Sequence, residues 1–208
     1  MSKPRDHHIV DRVGFVRAAR LFSNVVSPPV MFAVLGLALA LHATNTILAG
    51  LAWAAVYGFF VALAPILFVL QLLQRGRIVE LHMTDTRERH LPYLVAVLMS
   101  LLVLALILVL DGPTLLFCLS LFNVLTLSVL GVVNVRWLVS FHATAVSAFV
   151  TIITLVFGPV AGVATSPLVP LVVTVRLYLR RHTVAQMIGG LLWGVGSVLL
   201  LWRLGCFV

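Results

Sequence analysis

Long apolar runs separated by short polar segments dominate this chain. Seven such runs follow a polar start, at 22–41, 47–73, 93–110, 114–135, 141–161, 164–179 and 184–202. A helix that crosses a bilayer needs about 20 apolar residues, and roughly 17–25 is usual. Six of the runs are near or above that range. The run at 164–179 is short and contains Pro167 and Pro170, so its crossing is the one that the sequence leaves open.

These runs lack the alternation of apolar and polar residues that is typical of a membrane β-barrel. Residues 9–21 place apolar side chains at helical spacing with arginines between them, which predicts a short interfacial helix. We therefore predict an all-α fold, a polytopic transmembrane bundle of six to seven spanning helices. It consists of a basic interfacial segment at 1–21 and a single transmembrane bundle at 22–208. Tight turns are expected at 42–46, 111–113 and 162–166.

The composition excludes several classes of protein. With 208 residues and 62% hydrophobic content, the chain has too little polar surface for a soluble domain. The net charge of +8 comes without a basic stripe interleaved with aromatic residues, so membrane lipids rather than nucleic acid are the expected partners. Cys118 and Cys206 are far apart and lack metal-ligand spacing, and we expect two membrane-embedded thiols.

The basic residues are distributed unevenly across the predicted membrane. If all seven runs span, thirteen of the 14 lysines and arginines share one side, and only Arg203 lies on the other. Leaving out the six arginines from Arg87 to Arg181, which a ligand could require, the bias is still seven to one. By the positive-inside rule this face is expected in the cytoplasm, with the protein in the cell membrane.

The connections after the second, fourth and sixth runs all emerge on this face, and each carries histidine and arginine. The residues concerned are His82, Arg87, Arg89 and His90, then Arg136, Ser140 and His142, then Arg176, His182 and Gln186. Guanidinium groups match phosphate oxygens, and a neutral imidazole can act as nucleophile or, once protonated, as acid. Because few carboxylates accompany them and no pair has zinc-ligand spacing, we expect phosphoryl transfer without a metal or cofactor.

These segments resemble the three motifs of the type 2 phosphatidic acid phosphatase superfamily of membrane lipid phosphatases, over about residues 78–200. Arg176-x5-His182-x3-Gln186 keeps the spacing of the third motif, which ends in Asp in the family. "VSFHAT" keeps the serine and histidine of the second motif as Ser140 and His142. The first motif is looser, since His82-x6-Arg89 keeps the arginine but has histidine in place of lysine.

The resemblance implies roles for these residues. His182 would be the nucleophile that forms a phosphohistidine, and His142 the acid that protonates the leaving group. Arg89 and Arg176, with the Ser140 hydroxyl, would hold the phosphoryl oxygens. The substrate would be a lipid phosphate, such as phosphatidic acid, phosphatidylglycerol phosphate or a polyprenyl diphosphate.

Two departures from the family pattern concern these roles. His82 replaces a lysine, so positive charge there would depend on pH. Gln186 replaces an aspartate one helical turn after His182, so its carbonyl could accept the Nδ1–H of His182 without making the ring more basic.

Other interpretations of the same residues remain open. The protein could bind a lipid phosphate without hydrolysing it, or it could be a small transporter in which arginines gate an anion path. Ser140 opens the fifth run and could be a helix N-cap. Arg180 and Arg181 could be anchors that reach the headgroups. The oligomeric state is left open by the sequence.

Overall fold

A computed structural model describes residues 4–6, 11, 13–78 and 87–208, and every regular element in those ranges is helical. The predicted all-α bundle is therefore confirmed. The α-helices are α1 (Gly14–Val25), α2 (Pro28–Ala43), α3 (Ile47–Gly58), α4 (Ala64–Gln74), α5 (His90–Val109), α6 (Thr114–Val133), α7 (Phe141–Phe157), α8 (Pro159–Thr165), α9 (Leu168–Tyr178) and α10 (Val184–Arg203).

Several of these elements are long and apolar enough to cross a membrane. Five pass by length and composition: α5, α6 and α10 alone, α3 with α4 as one stretch at Ile47–Gln74, and α8 with α9 at Pro159–Tyr178. The pair α1 and α2, bent by 43°, makes a sixth. Helix α7 has 17 residues and is also apolar. A multi-pass membrane protein follows from these helices.

The connection after the fifth run does not lie where the apolar runs predict it. The turn expected at 162–166 is wrong, because α7 ends at Phe157 and the chain turns at Gly158. Gly158 has a φ of +89°, a conformation that glycine adopts without steric cost. Pro159 then occupies the first helical position of α8, where its missing N–H is not needed. The helical stretch that contains the run at 164–179 thus begins at Pro159 and reaches 20 residues.

Helices α6 and α7 form the centre of the bundle. The core joins Phe32 of α2, Phe122 of α6 and Ile152 of α7, each 2% exposed or less. Helix α5 lies at the periphery, where Leu94 and Leu102 are more than half exposed. Exposed leucines on an outer helix are expected for a surface that faces lipid.

Small residues let α7 and α10 approach closely at the end where the histidines lie. A Cβ at Gly190 would collide with the Ser140 carbonyl, and one at Gly194 with the Thr144 carbonyl. Ser147 also donates a hydrogen bond to the Leu191 carbonyl across the interface, at 3.1 Å. Close approach through small residues is a common basis of helix packing in membranes. It holds the start of α7 against the start of α10.

Cys118 and Cys206 form a disulfide, so the expectation of two thiols is wrong. Cys118 lies in the first turns of α6, and Cys206 follows the end of α10. The bundle brings these two ends together although the cysteines are 88 positions apart in sequence. The disulfide therefore lies at the opposite end of the bundle from His182, which precedes α10.

The predicted N-terminal helix is present as α1, but it continues past residue 21 to Val25. Phe15 and Leu21 are 85% and 63% exposed, whereas Ser23 is only 3% exposed. Helix α1 thus has exposed apolar side chains as well as polar ones, as an interfacial helix does. Its last turn reaches into the bundle.

Candidate functional site

A cavity of about 460 Å³ opens among α2, α4, α5 and the histidine-bearing segments. One part of its wall is apolar and comes from α2, α4 and α5, including Val30, Ile66, Val69 and Ala96. The polar part of the wall is formed by Asn24, Ser27, Arg89, His142, Arg176 and His182. The cavity can therefore accommodate a ligand with a polar group at one end and a hydrocarbon chain at the other.

His182 is buried and held by a backbone group. Its side chain is in the connection between α9 and α10, where its Nδ1 lies 3.2 Å from the carbonyl oxygen of Leu138. A carbonyl only accepts, so Nδ1 carries the hydrogen and donates it. The Nε2 atom lies 3.4 Å from an Nη of Arg176 and accepts from it. This tautomer leaves the lone pair of Nε2 at the cavity wall.

Burial also affects the charge of His182. Desolvation, together with the positive charges of Arg176 and Arg89, lowers the pKa of its imidazole from 6.5 to about 3. Hydrogen bonds to Leu138 and to Gln186 oppose the shift only in part. The imidazole is therefore neutral at physiological pH, which is the form a nucleophile needs.

Arg176 is a buried cation that forms no direct ion pair in the described part of the chain, although the Asp6 carboxylate interacts with it at longer range. Arg176 is 3% exposed, and it takes no part in the ion pairs among the described residues. One Nη donates to the Ser23 hydroxyl at 2.9 Å, and the other lies next to His182. Its Nε has no hydrogen-bond partner among the described residues. A buried charge is costly without compensation, so this guanidinium can gain stability by binding an anion in the cavity.

His142 lies at the start of α7 and lines the cavity with His182. Its Nε2 is 3.2 Å from the carbonyl oxygen of Ser23 and 3.4 Å from the hydroxyl of the same residue. Ser23 thus bridges His142 and Arg176. Sequence reasoning missed this serine. The sequence signal that could have indicated Ser23 is its polar side chain within an apolar segment at the end of the interfacial helix.

Arg89 contributes a second guanidinium to the cavity wall. It lies in a 3₁₀ turn, Arg87–Arg89, immediately before α5. Burial lowers the pKa of its side chain, and the Arg181 charge adds to that effect, whereas Tyr93 and Glu88 oppose it. Arg89 therefore lines the same cavity as Arg176 and His182.

Gln186 makes a different principal contact from the predicted one. Its side-chain oxygen accepts the backbone N–H of Thr183 at 2.9 Å, while the Thr183 hydroxyl accepts the backbone N–H of Gln186 at 3.3 Å. This reciprocal pair is a capping box, which satisfies N–H groups at the start of α10. The predicted acceptor for Nδ1 of His182 is therefore corrected, because Leu138 provides it.

Ser140 is 0% exposed and caps α7, so the N-cap interpretation holds. Its hydroxyl oxygen accepts from the backbone N–H of Ala143 at 3.4 Å, and its own N–H donates to the Gln186 carbonyl at 3.2 Å. It is not among the residues that line the cavity. In this structure Ser140 joins the second and third motif segments instead of facing a ligand. His82, the remaining predicted residue, lies outside the described residues.

A buried ion-pair network lies beside the cavity. The carboxylate of Asp6 is 2.8 Å from Arg181 and 2.9 Å from Arg20. Arg181 is 5% exposed, so its interpretation as a headgroup anchor is wrong, whereas Arg180 is exposed. Asp6 was missed as well, although it is one of only six acidic residues in the chain. It ties the N-terminal segment and α1 to the connection that bears His182.

Comparison with known proteins adds no assignment: no protein-family model, no curated protein and no solved structure matches the chain.

Proposed function

We propose that this protein hydrolyses a phosphate or diphosphate ester of a membrane lipid, with His182 as the nucleophile. The proposal rests chiefly on Arg176, a buried guanidinium that forms no direct ion pair in the described residues and lies next to Nε2 of a neutral imidazole. The motif spacing of the type 2 phosphatidic acid phosphatases, which the sequence resembles, supports the same chemistry. The apolar wall of the cavity supports a lipid as the substrate.

The first step would transfer the phosphoryl group to the protein. Arg176 turns from Nε2 of His182 to the phosphoryl oxygens, the freed lone pair of Nε2 attacks phosphorus, and the bond from phosphorus to the lipid oxygen breaks. Arg176 and Arg89 balance the negative charge of the phosphoryl oxygens. The lipid oxygen leaves with the Nε2 proton of the imidazolium form of His142, which becomes a neutral imidazole as its hydrogen bond to the Ser23 carbonyl is replaced. In structures without substrate, the hydrogen bonds of catalytic groups often differ from those in the complex with substrate.

The second step would release phosphate. Water attacks the phosphorus of phosphohistidine, and the bond to Nε2 breaks, which returns His182 to its neutral form. His142, now without its proton, accepts one from the attacking water. The net reaction consumes one water and yields inorganic phosphate and a lipid alcohol, or a lipid monophosphate where the substrate is a diphosphate.

We place the site on the cytoplasmic face of the cell membrane. The excess of lysine and arginine on that face supports this orientation. The disulfide at the opposite end supports it independently, because disulfides persist in oxidising compartments.

The test is phosphate release from a panel of lipid phosphates by the purified protein in nanodiscs. We expect His182→Gln to abolish release, and His42→Gln, which changes an exposed histidine at the far end of α2, to leave it unchanged. Equal release by the parent and His182→Gln would contradict the mechanism. Binding of lipid phosphates without any hydrolysis would instead favour a non-catalytic binding protein, for which the neutral Gln186 at the aspartate position is the supporting observation.

A further inference from the structure

We propose that the hydroxyl of Tyr93 is a further ligand-binding group, which donates a hydrogen bond to a phosphoryl oxygen of the bound lipid. This inference rests on the proposed function and adds a residue that none of the three motifs contains.

Tyr93 lies close to Arg89, one of the polar residues of the cavity wall. Tyr93 lines the cavity and follows Arg89 by four residues, about one helical turn. Its hydroxyl binds the side chain of Asn134, which directly follows α6. The same connection between α6 and α7 carries the Leu138 carbonyl that holds His182. The hydroxyl is therefore held by the segment that also orients the proposed nucleophile.

The hydrogen bond to Asn134 leaves the hydroxyl proton available. The Nδ2 of Asn134 donates to the Tyr93 oxygen at 2.9 Å, so the tyrosine is the acceptor in this contact. A phenol has one hydrogen to donate, and Asn134 does not receive it. Much of the surrounding cavity wall is apolar, so the oxygens of a phosphoryl group would be the natural acceptors.

A neutral donor suits this location better than another cation. Arg89, Arg176 and Arg181 already lie close enough for their charges to oppose one another. A hydroxyl adds a hydrogen bond to the phosphoryl group without increasing that repulsion. Asn134 restricts the rotation of the hydroxyl, because the donated hydrogen bond fixes one lone pair of its oxygen.

The chain contains a matched control in the pair Tyr57 and Asn123. Asn123 donates to the Tyr57 hydroxyl at 2.6 Å, which is the same contact in the same direction. Tyr57 is 0% exposed in the core and is not among the residues that line the cavity. Loss of either hydroxyl thus removes a tyrosine–asparagine hydrogen bond, but only one loss changes the cavity.

The experiment compares Tyr93→Phe and Tyr57→Phe for binding of a long-chain alkyl phosphonate and of the corresponding alkanol, in nanodiscs. We expect Tyr93→Phe to weaken phosphonate binding roughly tenfold or more, as for a lost hydrogen bond to a charged group. Tyr57→Phe should leave it within about twofold. Alkanol binding should be the same in both variants and the parent, because the alkanol lacks phosphoryl oxygens.

The outcomes separate this inference from the proposed function. Arg176→Gln is measured in parallel, and unchanged phosphonate binding in that variant would refute the phosphate pocket itself. If Arg176→Gln weakens binding and Tyr93→Phe does not, only the role of Tyr93 is overturned. Equal losses in Tyr93→Phe and Tyr57→Phe, or a parallel loss of alkanol binding, would assign Tyr93 to packing and also overturn it.

Discussion

Nδ1 of His182 donates to the carbonyl oxygen of Leu138 across 3.2 Å, so the backbone of the α6–α7 connection orients the imidazole ring. A backbone carbonyl fixes the tautomer as an aspartate can, but it carries no full negative charge. The residue four positions after His182 therefore does not have to be an aspartate and can be neutral. Gln186 uses it to cap α10.

The first prediction follows from this arrangement. Gln186→Leu removes half of the capping box, so it should cost about 0.5–2 kcal/mol of stability while reducing kcat less than tenfold. Thr183→Ala is the matched control, because it removes the other half of the capping box and keeps the Gln186 side chain. Thermal unfolding and phosphate release are measured for both. A hundredfold fall in kcat for Gln186→Leu alone would show that Gln186, and not Leu138, orients His182.

The second prediction concerns pH. The pKa of His182 is about 3 in the folded protein and 6.5 ordinarily, so between these values the unfolded chain binds more protons than the folded one. Stability contributed by the neutral imidazole is therefore present above about pH 6.5 and is lost as the pH falls toward 3. We expect the melting temperature to fall less between pH 7 and pH 5 in His182→Gln than in the parent. An identical decrease in both proteins would contradict a buried neutral His182, and His42→Gln controls for loss of a histidine as such.

The third prediction concerns metal ions. If Arg89 and Arg176 neutralise the phosphoryl group, excess EDTA should leave phosphate release essentially intact. Initial rates are compared with and without chelator after dialysis. Loss of activity that zinc or magnesium restores would point to metal-assisted hydrolysis instead.

The fourth prediction concerns the ion pairs of Asp6. Asp6→Asn removes the carboxylate that pairs with the buried Arg181, which should cost about 3–5 kcal/mol of stability. Arg181→Gln should recover part of that loss in the double variant, since the buried cation is then gone. The four proteins form a double-mutant cycle in thermal or denaturant unfolding. Strictly additive effects would refute the coupling, and Asp11→Asn, at an exposed aspartate, should change stability by less than about 0.5 kcal/mol.

The fifth prediction concerns orientation. Asn45 and Arg75 are both exposed, and they lie at opposite ends of the stretch formed by α3 and α4. In intact cells an impermeant thiol reagent should label Asn45→Cys, on the end that holds the disulfide. It should label Arg75→Cys only after permeabilisation. Labelling in the reverse pattern would place the cavity outside the cytoplasm.

The sequence by itself determined the all-α membrane bundle, because a run of about 20 apolar residues has few stable states other than a spanning helix. It also indicated that Arg89, His142, Arg176 and His182 would meet, since an even number of crossings returns each segment to the same face. The residues at which helices end were harder to predict from the sequence. Gly158 ended α7 within an apolar run, and periodicity alone carries no sign of that turn.

Only the tertiary structure decided which groups hold the site residues. The partners of His182 and His142 include the backbone carbonyls of Leu138 and Ser23, and every residue has such a carbonyl, so no residue type marks them in the sequence. The pairing of Asp6 with Arg181, and of Cys118 with Cys206, depends on which helix ends pack together. Such contacts join residues far apart in the chain, and their geometry is set by helix packing, which the spacing of residues along one helix does not specify.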